Sequence, residues 1–281
     1  MTEKMDMLWR DPKEGQFQPA PTHKSIIIPG KRGRLLSLLY CAGGEGPKPT
    51  VLIFHGFPGN EQNLDIAQGL RRVGFNTMSF HYSGSWGSDG AYRFSHCLED
   101  ADTVLDYMIS HGEELQIDPE QLFLFGHSLG GFVGANVLAK RQEIKAGVLM
   151  SPADLCNTYQ ITVRYPQTEP IMMAFLANGA QWLNEVTAED MREDVKALQE
   201  TCLFAVLAES LSRKKLLMIT AELDQTTPFF MDQQPLLERL DQLGRGNHRH
   251  LQLKTDHGYE DKRMELTEKI AEYLLEHCRR E

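Results

Sequence analysis

The sequence lacks any uninterrupted apolar run of about 18 residues, the length a membrane-crossing helix needs. It lacks an excess of positive charge. Its 29 Lys and Arg stand against 39 Asp and Glu, a formal net charge of −10. A surface that acidic repels phosphate backbones and anionic lipid head groups, so neither nucleic acid nor membrane is expected as a partner. Cysteine is scarce and unpaired in pattern. Cys41, Cys97, Cys156, Cys202 and Cys278 contain no CxxC, and an odd count suits reduced thiols in a cytoplasmic protein. The first residues, Met1-Thr2-Glu3-Lys4-Met5-Asp6, carry acids and no apolar core, unlike a secretory signal. Internal repeats and low-complexity tracts are also missing.

What is present is enough for a large core. A chain of 281 residues buries roughly three quarters of its unfolded surface and needs no staples. The apolar fraction of 41% and charged fraction of 24% are ordinary for a globular protein.

Residues 1–21 are polar and proline-bearing and read as an irregular arm. Runs at 25–29 and 35–41, joined by Gly30-Lys31-Arg32-Gly33, predict an antiparallel hairpin. From Thr50 the pattern becomes strand, helix, strand, helix. Strands are expected at 51–54, 76–82, 121–125, 146–150, 216–220 and 250–253. Helices are expected at 61–73, around 98–109, at 129–141, at 232–243 and at the C-terminus. Repeated βα units predict an α/β fold with a mostly parallel sheet, helices on both faces and the hairpin at one edge. The alternation breaks at 152–212, where apolar helical pieces occur at 171–176, 182–183 and 202–211. Thr187 there has the spacing of a helix cap. This stretch exceeds an ordinary connection and reads as a helical cap or lid inserted between two parts of one core domain, 22–151 and 213–281.

One motif carries chemistry. Gly126-His127-Ser128-Leu129-Gly130-Gly131 follows an apolar strand and precedes a helix rich in small residues. That is the context of a nucleophile elbow, with Ser128 in a strained turn between closely packed backbones. Acyl transfer also needs two N–H donors for the developing oxyanion. Leu129 is expected to supply one. The other is expected from His55-Gly56-Phe57-Pro58-Gly59, where Pro58 has no N–H and Phe57 is the better candidate.

A serine hydroxyl needs a general base. His257 follows the last strand, on the sheet edge where the other strand ends converge. His55 and His127 also lie near that edge and are expected to pack or to hydrogen-bond locally. The remaining histidines read as surface or structural. No pair has metal-ligand spacing backed by further ligands, so no catalytic metal and no cofactor is expected. The acid that orients the imidazole is expected at Asp224, after the strand at 216–220. Asp154, Glu222 and Asp256 are the rivals.

With Ser128, Asp224 and His257 in that chain order, the sequence resembles the α/β-hydrolase superfamily from about Ile26 onward. The loop His81-Tyr82-Ser83-Gly84-Ser85-Trp86-Gly87 resembles that of small carboxylesterases of the feruloyl or cinnamoyl type, and of hydrolases related to the prolyl oligopeptidase group. The resemblance implies a serine hydrolase acting on a small ester, with amides and thioesters as alternatives. Tyr82 and Trp86 are then expected against the substrate. A homodimer is compatible with this reading.

Overall fold

The computed structural model of the protein describes residues 2–279. They form one eight-stranded sheet in the order β1-β2-β4-β3-β5-β6-β7-β8. The strands are β1 (Thr22–Gly30), β2 (Gly33–Cys41), β3 (Lys48–Phe54), β4 (Asn76–Phe80), β5 (Ile117–His127), β6 (Ile144–Met150), β7 (Lys215–Ala221) and β8 (His248–Leu253). β1 and β2 form the expected hairpin, and β2 runs antiparallel to β4. Every pairing from β4 through β8 is parallel.

The continuous apolar runs in the sequence have a simple cause. Both faces of the sheet are covered, so both side-chain sets of each strand must be apolar. Leu52, Phe54, Leu122 and Leu124 face one core cluster. Val51, Ile53, Phe123 and Phe125 face the other. Helices α1 (Leu64–Arg72) and α9 (Arg263–His277) supply Ile66, Leu70, Leu266 and Ile270 to the second cluster. Helices α2 (Phe94–Ser110), α3 (Leu129–Lys140) and α8 (Gln234–Leu243) pack on the first.

Between β6 and β7 lie α4 (Leu155–Arg164), α5 (Glu169–Ala180), α6 (Ala188–Cys202) and α7 (Phe204–Leu211). Thr187 caps α6 with a reciprocal capping box to Asp190. Three local expectations need correction. Residues Trp182 and Leu183 are a turn and an isolated β-bridge to Ser85, because this segment spends its main-chain groups on the loop after β4. The expected helix at 202–211 is broken at Leu203, where Asp154 Oδ2 accepts the Phe204 N–H and starts a new helix. The arm at 1–21 is not wholly irregular. Thr2–Asp6 and Met7–Trp9 are helical turns, and Leu8 is buried against the second cluster.

The chain order matters for the site. From β3 the chain moves to β4 on one side, then crosses back to β5 on the other. The carboxyl ends of β3 and β5 therefore flank a topological switch point, the place where open α/β sheets form crevices.

Asp100 of α2 secures the loop after β4. Its fully buried carboxylate accepts from Ser83 N at 2.6 Å, Ser83 Oγ at 3.0 Å and Arg32 Nη2 at 3.2 Å. Asp100→Ala leaves the buried Ser83 N–H and hydroxyl without this acceptor, while Arg32 keeps Glu99, and should lower unfolding free energy by about 3 kcal/mol. Urea denaturation measures this, and a midpoint equal to wild type would contradict it.

Candidate active site

Ser128 sits between β5 and α3 with φ 58° and ψ −119°, a conformation rare for a residue with a Cβ. Its backbone is locked on all sides. Its N–H donates to Met150 O at 3.0 Å, and its carbonyl accepts from Gly131 N at 2.9 Å and Ala153 N at 3.1 Å. The turn is possible because two residues lack a side chain. A Cβ on Gly126 would stand 2.0 Å from Gly130 O, and one on Gly130 would stand 2.0 Å from Phe54 O. Three backbones thus meet without room for a methyl group.

The loop after β3 lies directly beside the serine. A Cβ on Gly56 would be 3.3 Å from Ser128 Cβ. Among the described residues, neither the Phe57 N–H nor the Leu129 N–H has a hydrogen-bond acceptor. Leu129 is the first residue of α3, where such N–H groups have no partner within the helix. The Phe57 ring is held by Tyr92, Phe94 and Phe175, with ring centroids 5.5–6.1 Å away.

His257 follows β8. Its Nδ1 donates to Asp224 Oδ2 at 2.8 Å, which leaves Nε2 as the acceptor nitrogen. Asp224 follows β7 and its side chain is only 1% exposed. Its Oδ1 accepts from Thr226 N at 2.9 Å and Thr227 N at 2.8 Å, and its Oδ2 accepts from Thr227 Oγ1 at 2.9 Å. Burial pushes this carboxyl up, but the hydrogen bond and charge of His257, with the Thr227 N–H, outweigh it. Asp224 is held below the usual carboxylate range and stays ionised.

His127 ties the histidine loop to the elbow. Its Nε2 donates to the His257 carbonyl at 2.9 Å, and the two rings lie 4.7 Å apart. The acceptor is a carbonyl, so Nε2 must carry the proton. Burial drives His127 down to about 3, so the ring is neutral. His55 likewise falls to about 4 through burial, and its Nδ1 donates to Gly56 O at 2.8 Å.

The rivals for the acid are elsewhere engaged. Asp154 accepts from Asn157 N at 3.1 Å and from Phe204 N at 3.1 Å, so it caps α4 and starts α7. The side chains of Glu222 and Asp256 are exposed. Tyr82 needs correction. It is fully buried, its ring 4.5 Å from His55 and its hydroxyl donating to His55 O at 3.4 Å, so in this structure it supports the loop after β3 from behind and offers no surface. The strand expected at 76–82 ends at Phe80, and Tyr82 lies in the loop that follows, its ring packed against Phe80 and His55. Trp86 is 37% exposed at the surface of the same loop.

Residues behind the acid were not singled out from sequence. Thr227 donates its hydroxyl to Asp224 Oδ2 with the same Oγ1 lying 3.2 Å from Ser151 O, while Ser151 Oγ meets Tyr259 Oη at 3.0 Å. The Asp-x-x-Thr spacing from Asp224 to Thr227 is a signal that points to the first of these contacts. Ser151 and Tyr259 come together only through the fold. Among the described residues no cluster of His, Cys, Asp or Glu could hold a metal ion, and no helix is long and apolar enough to cross a membrane.

The family model described as Hydrolase_4, serine aminopeptidase S33, matches residues 45–205. The chain belongs to this α/β-hydrolase family. The matched part carries the Phe57 loop and Ser128, and ends before Asp224 and His257. The uncharacterised protein YfhR of Escherichia coli O157:H7 is 28% identical over 151 residues, 50% of this chain and 51% of its own length. The chain thus spans about half the length of the curated relatives it matches. Among solved structures, carboxyl esterase 2 from Tuber melanosporum is similar with a TM-score of 0.67 at 20% identity, over 92% of this chain and 88% of that one. The acylaminoacyl peptidase of Pyrococcus horikoshii is similar with a TM-score of 0.66 at 15% identity, over 91% of this chain and 41% of that one. At such identities the likeness carries the fold.

A second acid lies beneath the site. Asp232 Oδ1 accepts from Asp154 N at 2.8 Å, and burial, outweighing that bond, lifts Asp232 to about 8. The folded chain therefore holds a proton there that the unfolded chain lacks. Stability contributed by this group declines as pH rises from 6.5 towards 8, by at most about 1.4 kcal/mol per pH unit. Asp232→Asn stays neutral and should flatten that decline relative to wild type. Urea unfolding at pH 6.5 and pH 8 decides it, and parallel declines in both proteins would rule the effect out.

Proposed function

We propose that this protein is a serine hydrolase that cleaves carboxylic esters of small molecules through an acyl-enzyme. The observation that carries the reading is the 2.8 Å hydrogen bond from His257 to a buried, ionised Asp224, on a loop tied by His127 to the strained Ser128. In this reading His257 Nε2 takes the proton of Ser128 as Oγ attacks the substrate carbonyl. The charge that develops on the carbonyl oxygen is met by the Phe57 and Leu129 N–H groups, which have no protein acceptor to compete for them. Asp224 holds the imidazole in the required tautomer and steadies the imidazolium. The same proton then goes to the leaving alcohol. Water, deprotonated by His257, repeats the attack on the acyl-enzyme and restores Ser128. No cofactor enters this cycle.

The helices between β6 and β7 would act as the lid. Phe175 of α5 reaches the Phe57 ring at 5.5 Å, and Trp86 lies at the edge of the same region, so both are assigned to the pocket wall. A peptidase or amidase is the second reading. It is favoured by the family's description as a serine aminopeptidase and would use the same groups.

A panel of p-nitrophenyl esters and aminoacyl-p-nitroanilides tests the choice. Turnover of short esters is expected, and activity confined to the anilides would replace the esterase reading with the peptidase one. A fluorophosphonate probe should label wild type and leave Ser128→Ala unlabelled. Asp224→Asn should reduce kcat by roughly 10⁴-fold, because the wrong histidine tautomer is favoured. Asp154→Asn should cost stability and leave turnover of the folded fraction within a few fold. The reverse ranking of the two aspartates would remove Asp224 from the mechanism.

A further inference from the structure

We infer that Trp86 is a positioning residue for the Phe57 N–H donor, acting as a hydrogen-bonded clamp on its loop. This rests on the hydrolase reading above. The indole Nε1–H of Trp86 donates to the carbonyl of Pro58 at 2.8 Å, one residue beyond the donor. The indole comes this close only because residue 59 is glycine. A Cβ there would lie 2.7 Å from Trp86 Nε1 and 2.7 Å from His55 Cε1, and Gly59 itself has φ 108°. The donor loop is therefore gripped from both sides. The Phe57 ring is packed among Tyr92, Phe94 and Phe175, and the Pro58 carbonyl is tied to Trp86.

Trp86 is itself held in a costly conformation. Its φ of 47° lies in the left-handed region, which an aromatic residue rarely occupies. Such strain persists only where the surroundings over-determine it. Here they do. Ser85 forms a β-bridge with Leu183, Asn184 N donates to Gly84 O at 2.8 Å, and Tyr92 N donates to Asn184 O at 3.0 Å. Trp182, brought by the same segment, stacks on Trp86 with rings 17° from parallel and 6.1 Å apart. The insertion thus fixes Trp86, Trp86 fixes Pro58, and Pro58 follows the donor. A surface tryptophan serving only as a substrate wall would need neither the hydrogen bond nor the strain.

The test separates a clamp from a wall. Trp86→Phe removes the N–H and shrinks the ring. Incorporation of β-(3-benzothienyl)alanine at position 86 replaces only the N–H by sulfur and keeps the stack. Both proteins are assayed with p-nitrophenyl acetate and for inhibition by phenylboronic acid, which takes the Ser128 oxygen as a fourth ligand and places an oxygen at the donor site. A clamp predicts kcat lowered about tenfold, less than the 10²–10³ lost when a donor is deleted outright. KM of the benzothienyl protein, which keeps the ring, should stay within twofold, and its boronic acid binding should weaken by the same factor as kcat. Unchanged kcat and boronic acid binding in the benzothienyl protein would overturn the inference, as would a rise in KM alone. If wild type neither hydrolyses esters nor binds the boronic acid, the hydrolase reading falls and takes this inference with it. An active wild type with an equally active benzothienyl protein removes this inference alone.

Discussion

The structure depends on one close approach of backbones. At the end of β5 the chain must turn into α3 while touching the end of β3, and the contact leaves no space for a Cβ at Gly126 or Gly130. Everything at the site is referenced to that point. It sets the left-handed backbone of Ser128, aims the Leu129 N–H away from its own helix, and brings Gly56 beside the serine. The switch in strand order at β3 and β5 supplies the crevice above it. A fold with another order would offer the same residues without bringing these two loops together.

The polar side of the site is built outward from Asp224 in the same manner. A carboxylate excluded from water must have its lone pairs occupied. Thr226, Thr227 and His257 do so, and Thr227 passes the constraint on to Ser151 and hence to Tyr259. His127 closes the circuit from the opposite direction, joining the residue before the serine to the carbonyl of His257. The imidazole is thus fixed at Nδ1 and through its own main chain.

Most of the sheet was legible in the sequence because its strands are covered twice. Runs such as Val51-Leu52-Ile53-Phe54 have no solvent face to interrupt them, and turn residues mark their ends. Ser128 was legible because its steric demand is written as glycines at fixed offsets. Asp224 and His257 could be reached from their places after β7 and β8. The region between β6 and β7 was harder. Half of α4 is apolar, but its buried face joins Cys156 and Tyr159 to Thr162 while Val163 is exposed, which blurs the helical stripe, and Asp154, a rival for the acid, proves to be its helix cap. Trp182 and Leu183 keep an apolar pattern, but their partners are loop residues a hundred positions away. Tyr82 illustrates the limit from the other side. A tyrosine after a strand reads equally as pocket or as core, and only the packing of His55 and Phe80 around it assigns it to the core.

Asp154 also has a consequence for how such a protein can diversify. Its carboxylate receives N–H groups from Asn157 and Phe204, so the segment between them leaves and returns at a single side chain. Helices α4 to α7 are in effect a cassette closed at its base by this clasp and tied again at Leu183 and Asn184 to the loop after β4. Lengthening a closed loop is cheap, about 0.6 kcal/mol for each doubling. Insertions in its exposed turns would therefore tax folding little while both ties and its buried side chains stay intact, so its outer face can be rewritten without disturbing the sheet.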